Sequence, residues 1–407
     1  MTRGGEGAVP TMTVVGIALA SALVPLNSTM IAVALPDLAR DFDISVSEAS
    51  VLITLYLAAM LVGQPIAGRA ADAVGPRRLA IVATTGFGVC SAAAMLAGAF
   101  WGVVGFRALQ AVFASALVPS VQAMLRALVP DRQRGRAFGV QGSVIGVGAG
   151  LGPVIGGIAT AAFGWRAIFG VNLPIVLVVL WVLVRLVPVT DRAEHGPDAA
   201  GPAGLLNGTF TAAFAVQALS TVAQYALLLA VPIVLDVRGW QEISIGLALA
   251  FLTVGMVVAG PFGGRLGDAH GRRRPVVLGL AVTIGAIGAS VAGGDDVPAA
   301  VLIVTLLVFG LGLGAATPSI QTAGIEAAPA ARAGAAAGLL SASRYVGSIT
   351  STLVLAGVVE DDGTGLEVLL VVCLASLAIA LAVATRLPGR PPVTERTLVA
   401  AEEVVPP

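Results

Sequence analysis

Twelve stretches of about 20 apolar residues, separated by short polar or glycine-rich connections, run through the 407-residue chain. They lie near 11–36, 47–70, 79–98, 101–126, 137–162, 166–187, 208–235, 243–264, 275–293, 298–324, 335–359 and 365–387. A run of that length crosses hydrocarbon as a helix, with its backbone groups satisfied inside the segment. The runs are long and do not alternate, which argues against a β-barrel. Charged residues make up 11% of the chain, against roughly 25% in soluble domains. So few charges do not coat a globule of this size, which places the chain in a bilayer. The first run continues to Leu35, too long for a signal-peptide core, and reads as a retained membrane helix.

Arginine sets the orientation. There is no Lys, and with both termini cytoplasmic the inner loops and ends hold 18 Arg, against Arg40, Arg166 and Arg238 outside. The outer loops are acidic, with Asp41, Asp43, Asp295, Asp296, Asp361 and Asp362. Trp101, Trp165 and Trp240 fall at the outer boundary, where interfacial anchors are expected. The expected location is the inner (cytoplasmic) membrane. The longest polar interruption, Val189 to Gly204, is rich in Pro, Gly and charge. It divides the chain into a six-helix bundle (1–188), a cytoplasmic linker (189–206), a second six-helix bundle (207–388) and a tail (389–407). The expected fold is an all-α membrane protein of twelve helices in two pseudo-symmetric bundles.

A repeat supports that division. GRAADAVGPRR (Gly68 to Arg78) returns 196 residues later as GRLGDAHGRRR (Gly264 to Arg274). VPSVQAM (Val118 to Met124) returns as TPSIQTA (Thr317 to Ala323), offset by 199, and the same register pairs Gly135 with Gly334 and Gly139 with Gly338. Duplicated bundles related by an axis along the membrane normal suit a rocking transporter. Each copy of the charged segment carries one Asp among arginines. Asp72 and Asp268 are each expected to face the positive N-terminus of a helix in the other half, latching one side shut. Gly75, Arg77, Arg78, Gly271, Arg272 and Arg273 belong to the same gate.

These residues resemble the major facilitator superfamily, and within it the drug:proton antiporters, over essentially the whole chain. The repeated segment is similar to that superfamily's pattern between helices two and three, with Ala73 and Pro76 where Arg is usual. GAGLGPVIGG matches the antiporter pattern G-x-x-x-G-P-x-x-G-G at Gly148, Gly152, Pro153, Gly156 and Gly157. Physically, these glycines allow close helix approach and the proline a kink. RALQAVFASA (Arg107 to Ala116) resembles the family's R-x-x-Q-G pattern, with Ala111 and Phe113 replacing glycines. LNSTMIAVALP and WRAIFGVNLPI resemble the branch that usually has fourteen helices, although this chain shows twelve. The resemblance implies antiport with a proton. Its first-helix acid, however, is Asn27 here, and an amide does not titrate. A rim carboxylate such as Glu48, or the substrate itself, is then the expected proton carrier.

Polar residues place the substrate path. Gln217, Ser220, Thr221, Gln224 and Tyr225 form one stripe on helix seven, and Ser341, Arg344, Tyr345 and Ser348 another on helix eleven. Asn27, Thr54 and Tyr56 come from helices one and two, Arg107 and Gln110 from helix four. Arg107 and Arg344 are the charges well inside the spans, where a buried Arg costs at least about 2.5–3.5 kcal/mol. A positive path disfavours purely cationic compounds and favours neutral ones or bearers of a carboxylate or phenolate. Cys90 and Cys373 read as buried hydrophobes, not a disulfide or a metal site. No nucleophile–base or metal constellation points to an enzyme, no cofactor is implied, and zero net charge indicates no nucleic-acid partner. The expectation is a monomeric exporter of a small amphipathic compound in the bilayer, with the proton as coupling ion. A metabolite facilitator or importer, and a transport-inactive sensor or scaffold, are the other readings.

Overall fold

The computed structural model describes residues 11–49, 51–188, 207–240, 242–291, 297–358 and 365–389. The linker (189–206) and nearly all of the tail lie outside them, as do Asp295, Asp296, Asp361 and Asp362. The first half comprises α1 (Thr11–Asp41), α2 (Val46–Ala49), α3 (Val51–Val74), α4 (Pro76–Leu96), α5 (Phe100–Ser115), α6 (Leu117–Leu128), α7 (Arg134–Phe163), α8 (Ala167–Gly170) and α9 (Asn172–Arg185). The second comprises α10 (Gly208–Val237), α11 (Glu242–His270), α12 (Arg273–Val291), α13 (Ala299–Glu326), α14 (Ala333–Val358) and α15 (Leu366–Ala384). No strand occurs among the described residues.

Eleven of the spans are long and apolar enough to cross a membrane by length and composition. The twelfth helix, α14, is 26 residues long, and Ser341, Ser343, Arg344, Tyr345, Ser348, Thr350 and Ser351 dilute its hydropathy. It nonetheless packs between α3 and α10.

Three sequence expectations change. The repeated segments are not loops: α3 runs to Val74 and α11 to His270, so Asp72 and Asp268 stand on last helical turns. Each helix stops at one glycine in a positive-φ conformation, Gly75 (φ 91°) and Gly271 (φ 86°), which glycine adopts without a Cβ penalty. Helix four breaks at Ala116 into α5 and α6. Pro119 has no N–H for the Ser115 carbonyl, and the Ala116 N–H turns back to Phe113 O at 3.1 Å. Trp165 is no interfacial anchor. It is 4% exposed, packs among Phe42, Phe100 and Phe169, and donates to Asp41 at 2.9 Å. Trp101, by contrast, is exposed.

Glycine decides how the helices meet. α7 carries two glycine faces. A Cβ on Gly148, Gly152 or Gly156 would run into α1 at Ala22, Thr29 or Met30. One on Gly135, Gly139 or Gly146 would run into α11 at Gly264, Gly260 or Val257. The antiporter-like glycines therefore pack α7 within its own bundle, while the other face joins the two bundles. α3 and α14 repeat that junction, with Gly68 against Gly334 and Gly338 against the Gln64 carbonyl. Around this centre, α4, α9, α12 and α15 present exposed apolar side chains such as Val82, Leu177, Leu278 and Val371.

Candidate functional site

The bundles meet at the end that carries the repeated segments, called the basic end here. The first turn of any helix leaves backbone N–H groups without intrahelical partners. At the start of α14, Asp72 takes two of them, accepting from Gly334 N at 2.7 Å and Ala335 N at 2.8 Å. At the start of α7, Asp268 does the same with Gly135 N at 2.8 Å and Arg136 N at 2.9 Å. Both contacts pair a carboxylate with the positive end of a helix across the two halves. The Gly68–Gly334 and Gly264–Gly135 crossings bring the backbones close enough for it.

The next arginines of the repeat work within each half. Arg77 donates to the last carbonyls of α9, Leu183 O and Val184 O, both at 2.9 Å. Its counterpart Arg273 lies beside the end of α15, with Nη1 on Thr385 O at 3.4 Å and its own N–H on Pro388 O at 3.0 Å. A cation at a helix C-terminus complements the dipole. Arg78 and Arg274 are exposed.

Of the four positions at which the two copies differ, one changes the charge of the junction. Where the first has Pro76, the second has Arg272, which is 2% exposed. It bonds Asp268 at 2.6 Å and Glu326 on α13 at 3.1 Å. These carboxylates outweigh burial and raise its pKa further. Glu326 also faces Arg134 at 3.7 Å, and Arg134 pairs with Asp131 at 2.7 Å. Arg126 on α6 crosses to the other half, bonding Ile325 O and Ala328 O. Arg126, Asp131, Arg134 and Glu326 escaped the sequence reading. Their one signal was a Glu at the end of an apolar span facing a basic loop.

A second cluster lies deep in the first bundle. Arg107 on α5 is 1% exposed and its Nη1 donates to Gln110 Oε1 at 2.7 Å. Gln110 Nε2 and Asn172 Nδ2 both donate to Ser91 Oγ, at 2.6 and 2.9 Å. The guanidinium lies 4.1 Å from the centre of the Tyr56 ring, a cation–π stack. The Tyr56 hydroxyl reaches α1, donating to Val24 O at 3.4 Å and bonding Ser28. Asn27, on the same turn of α1, is buried with its Oδ1 unpartnered. Arg107 Nε and Nη2 are likewise unpartnered.

The bundles also meet at mid-height. Gln64 on α3 donates to the Tyr345 hydroxyl on α14 at 3.4 Å. Tyr345 lies within electrostatic reach of Arg344, Tyr56 and Tyr225, which collects aromatic and cationic groups from both halves. Arg344, Gln224 and Tyr225 are half-buried. Gln217, Ser220 and Thr221 are instead buried, since Gly347 lets α14 close onto Ala218 and Thr221. Thr54 is exposed on α3, and Pro153 and Gly157 lie on the outer side of α7. Glu48 is tied up in a capping box: Ser45 N donates to it at 2.9 Å and Glu48 N returns to Ser45 Oγ at 3.1 Å. The Ser45 bonds hold its carboxyl below the usual range.

Two bundles of membrane-spanning helices, joined at one end by carboxylate-to-helix contacts across the halves, are the architecture of a multi-pass membrane transporter. The chain belongs to the Major Facilitator Superfamily, whose family model matches residues 17–352 and 213–405. It is 27% identical over 406 residues to the tetracenomycin C resistance and export protein of Streptomyces glaucescens, covering 85% of this chain and 75% of that one. It is 38% identical over 177 residues to a puromycin resistance protein of Streptomyces alboniger, covering 43% and 35%. A bacterial homologue of the iron transporter ferroportin, solved in an outward-facing state, shares the fold with a TM-score of 0.75 at 15% identity, covering 92% and 98%.

Proposed function

We propose that the chain exports a small amphipathic compound, an antibiotic or secondary metabolite, across the inner membrane by alternating access. The basic end is cytoplasmic, as are both termini, on the strength of the arginine distribution. The observation that carries the reading is the pair of carboxylate-to-helix contacts across the halves, Asp72 on α14 and Asp268 on α7. Each is strong enough to hold the inner side shut and small enough to break in a transport cycle. The resistance and export relatives supply the direction and the class of compound.

Proton exchange is the coupling the family resemblance suggests, and here it takes an unusual route. The eleven spans hold acidic residues only at their ends: Asp72, Asp131, Asp268, Glu326 and Glu367. Four of these sit at the basic end, and Glu48 is committed to its cap. The exchange therefore runs through an ionisable group of the substrate, which leaves its proton on the inner side and crosses as the anion, equivalent to moving a proton inward. The test is flux from proteoliposomes holding the purified monomeric protein, with puromycin and fluorescein as probes. Protein-dependent flux lost in an Asp72→Asn, Asp268→Asn double variant supports the reading. No flux of either probe, with the fold intact, overturns it in favour of a sensor or scaffold.

A further inference from the structure

Arg107 is a buried cation whose free donors share one edge. A guanidinium presents Nε–H and one Nη2 hydrogen side by side, a fork matched to the two oxygens of a carboxylate. Those are the two nitrogens of Arg107 left without a partner, while Nη1, on the far edge, is taken by Gln110. The Gln110–Ser91–Asn172 chain holds Gln110 from behind, and the Tyr56 ring covers one face of the guanidinium. So the group is fixed in position and its fork is left bare. A buried donor without a partner is costly, more so on a charge. Among the described residues no carboxylate pairs with Arg107, and the spans around it carry none away from their ends. On α1, between the Val24 carbonyl and the Ser28 hydroxyl that the Tyr56 hydroxyl bonds, the chain carries Asn27, an uncharged, buried amide with its own Oδ1 unpartnered.

We propose that this fork is an anion-binding subsite, filled by the carboxylate or phenolate of the transported compound. The inference rests on the export reading and narrows its substrate class to weak acids. The subsite is closed over in this state, so the anion reaches it as the bundles rearrange. Arg107 supplies the charge and the fork, Gln110 positions it, and the Asn27 amide offers a neutral neighbour that does not compete. An acid on α1 would fill the fork from within; an amide leaves it for the substrate.

The test compares two probes on one xanthene scaffold, fluorescein, which bears a carboxylate and a phenolate, and rhodamine 6G, a cation with its carboxyl esterified. Binding is read by fluorescence polarisation to the protein in nanodiscs, with empty nanodiscs subtracted. The wild type is expected to bind fluorescein saturably and in preference to rhodamine 6G. Arg107→Gln should weaken fluorescein binding by about ten- to a hundredfold, the loss of a charged hydrogen-bond pair, with rhodamine 6G unchanged. Arg107→Lys keeps the charge but not the fork and should fall between. Asn27→Asp leaves Arg107 in place and should abolish fluorescein binding, which covers the case in which Arg107→Gln fails to fold. No saturable fluorescein binding by the wild type, or equal binding by wild type and Asn27→Asp, overturns the proposal. Thermal stabilisation by chloride in the wild type but not in Arg107→Gln, with fluorescein binding insensitive to both variants, assigns the fork to an inorganic anion and overturns the substrate assignment. Fluorescein binding without any flux leaves the subsite standing and removes the export reading.

Discussion

Asp72→Asn tests the closed end most directly. The carboxylate holds two helix amides, Gly334 N at 2.7 Å and Ala335 N at 2.8 Å. A hydrogen bond to a charged group contributes about 1.5–3 kcal/mol, and the helix terminus about 0.3–2 kcal/mol more. Asparagine keeps one acceptor oxygen, turns an NH2 toward the second amide and removes the charge. The expected loss is about 2–3 kcal/mol, a shift of roughly 30- to 150-fold toward the open end. The bonded amides are their own reporters. In hydrogen-exchange mass spectrometry, the peptide spanning Gly334 and Ala335 should lose protection in Asp72→Asn, and that spanning Gly135 and Arg136 in Asp268→Asn. The α12 peptides, away from the junction, should be unchanged. Unaltered exchange at both helix starts in both variants would refute the latch.

Arg272→Ala breaks a buried pair and leaves Asp268 and Glu326 facing each other, so it should destabilise by about 3–5 kcal/mol, read as a lowered melting temperature; its repeat counterpart, Pro76→Ala, should change little. Gly264→Leu drives a side chain into the Gly135 backbone and should hold the basic end apart, seen as raised reactivity of a cysteine introduced at Ala137; Cys90 and Cys373 are buried and add little background. At the other end, Trp165 and then Arg166 hold the Asp41 carboxyl below its usual pKa. That stabilisation is present above the unfolded value of about 3.9 and lost as pH falls through the folded one, so Asp41→Asn should lower the melting temperature at pH 7 and matter progressively less as the pH falls below the unfolded value. Each negative charge moving outward is favoured about fiftyfold per 100 mV of inside-negative potential, so valinomycin-imposed potentials should drive fluorescein flux more than an imposed pH gradient, and Asn27→Asp should abolish that flux.

The spans were readable because a bilayer admits so few backbone solutions that hydropathy alone finds them. The partner of each repeated Asp was readable too, since a carboxylate among arginines beside a duplicated helix start has few places to go. Other features were hidden for stated reasons. Charges on a last helical turn look like a loop to a hydropathy reading, so Asp72 and Asp268 seemed to lie beyond their helices. The break at Ala116 depends on one missing N–H at Pro119. Burial of Trp165 depends on Phe42 and Phe169, distant in sequence. The Arg272–Glu326–Arg134 network spans three segments that meet only once the bundles have docked. The second glycine face of α7 was visible only as the echo of Gly135 and Gly139, because glycines that pack within a bundle and glycines that join two bundles look alike along one helix.

The glycine crossings have an electrical consequence. A transporter in an energised membrane must keep ions from leaking through whichever end is closed. A barrier built from side chains flickers as rotamers exchange on the picosecond-to-nanosecond scale. Where Gly68 meets Gly334 and Gly135 meets Gly264, backbone lies on backbone, with no rotamer to exchange and no gap for a hydrated ion. The closed end thus insulates through the part of the chain that moves least, and it opens only when whole helices part.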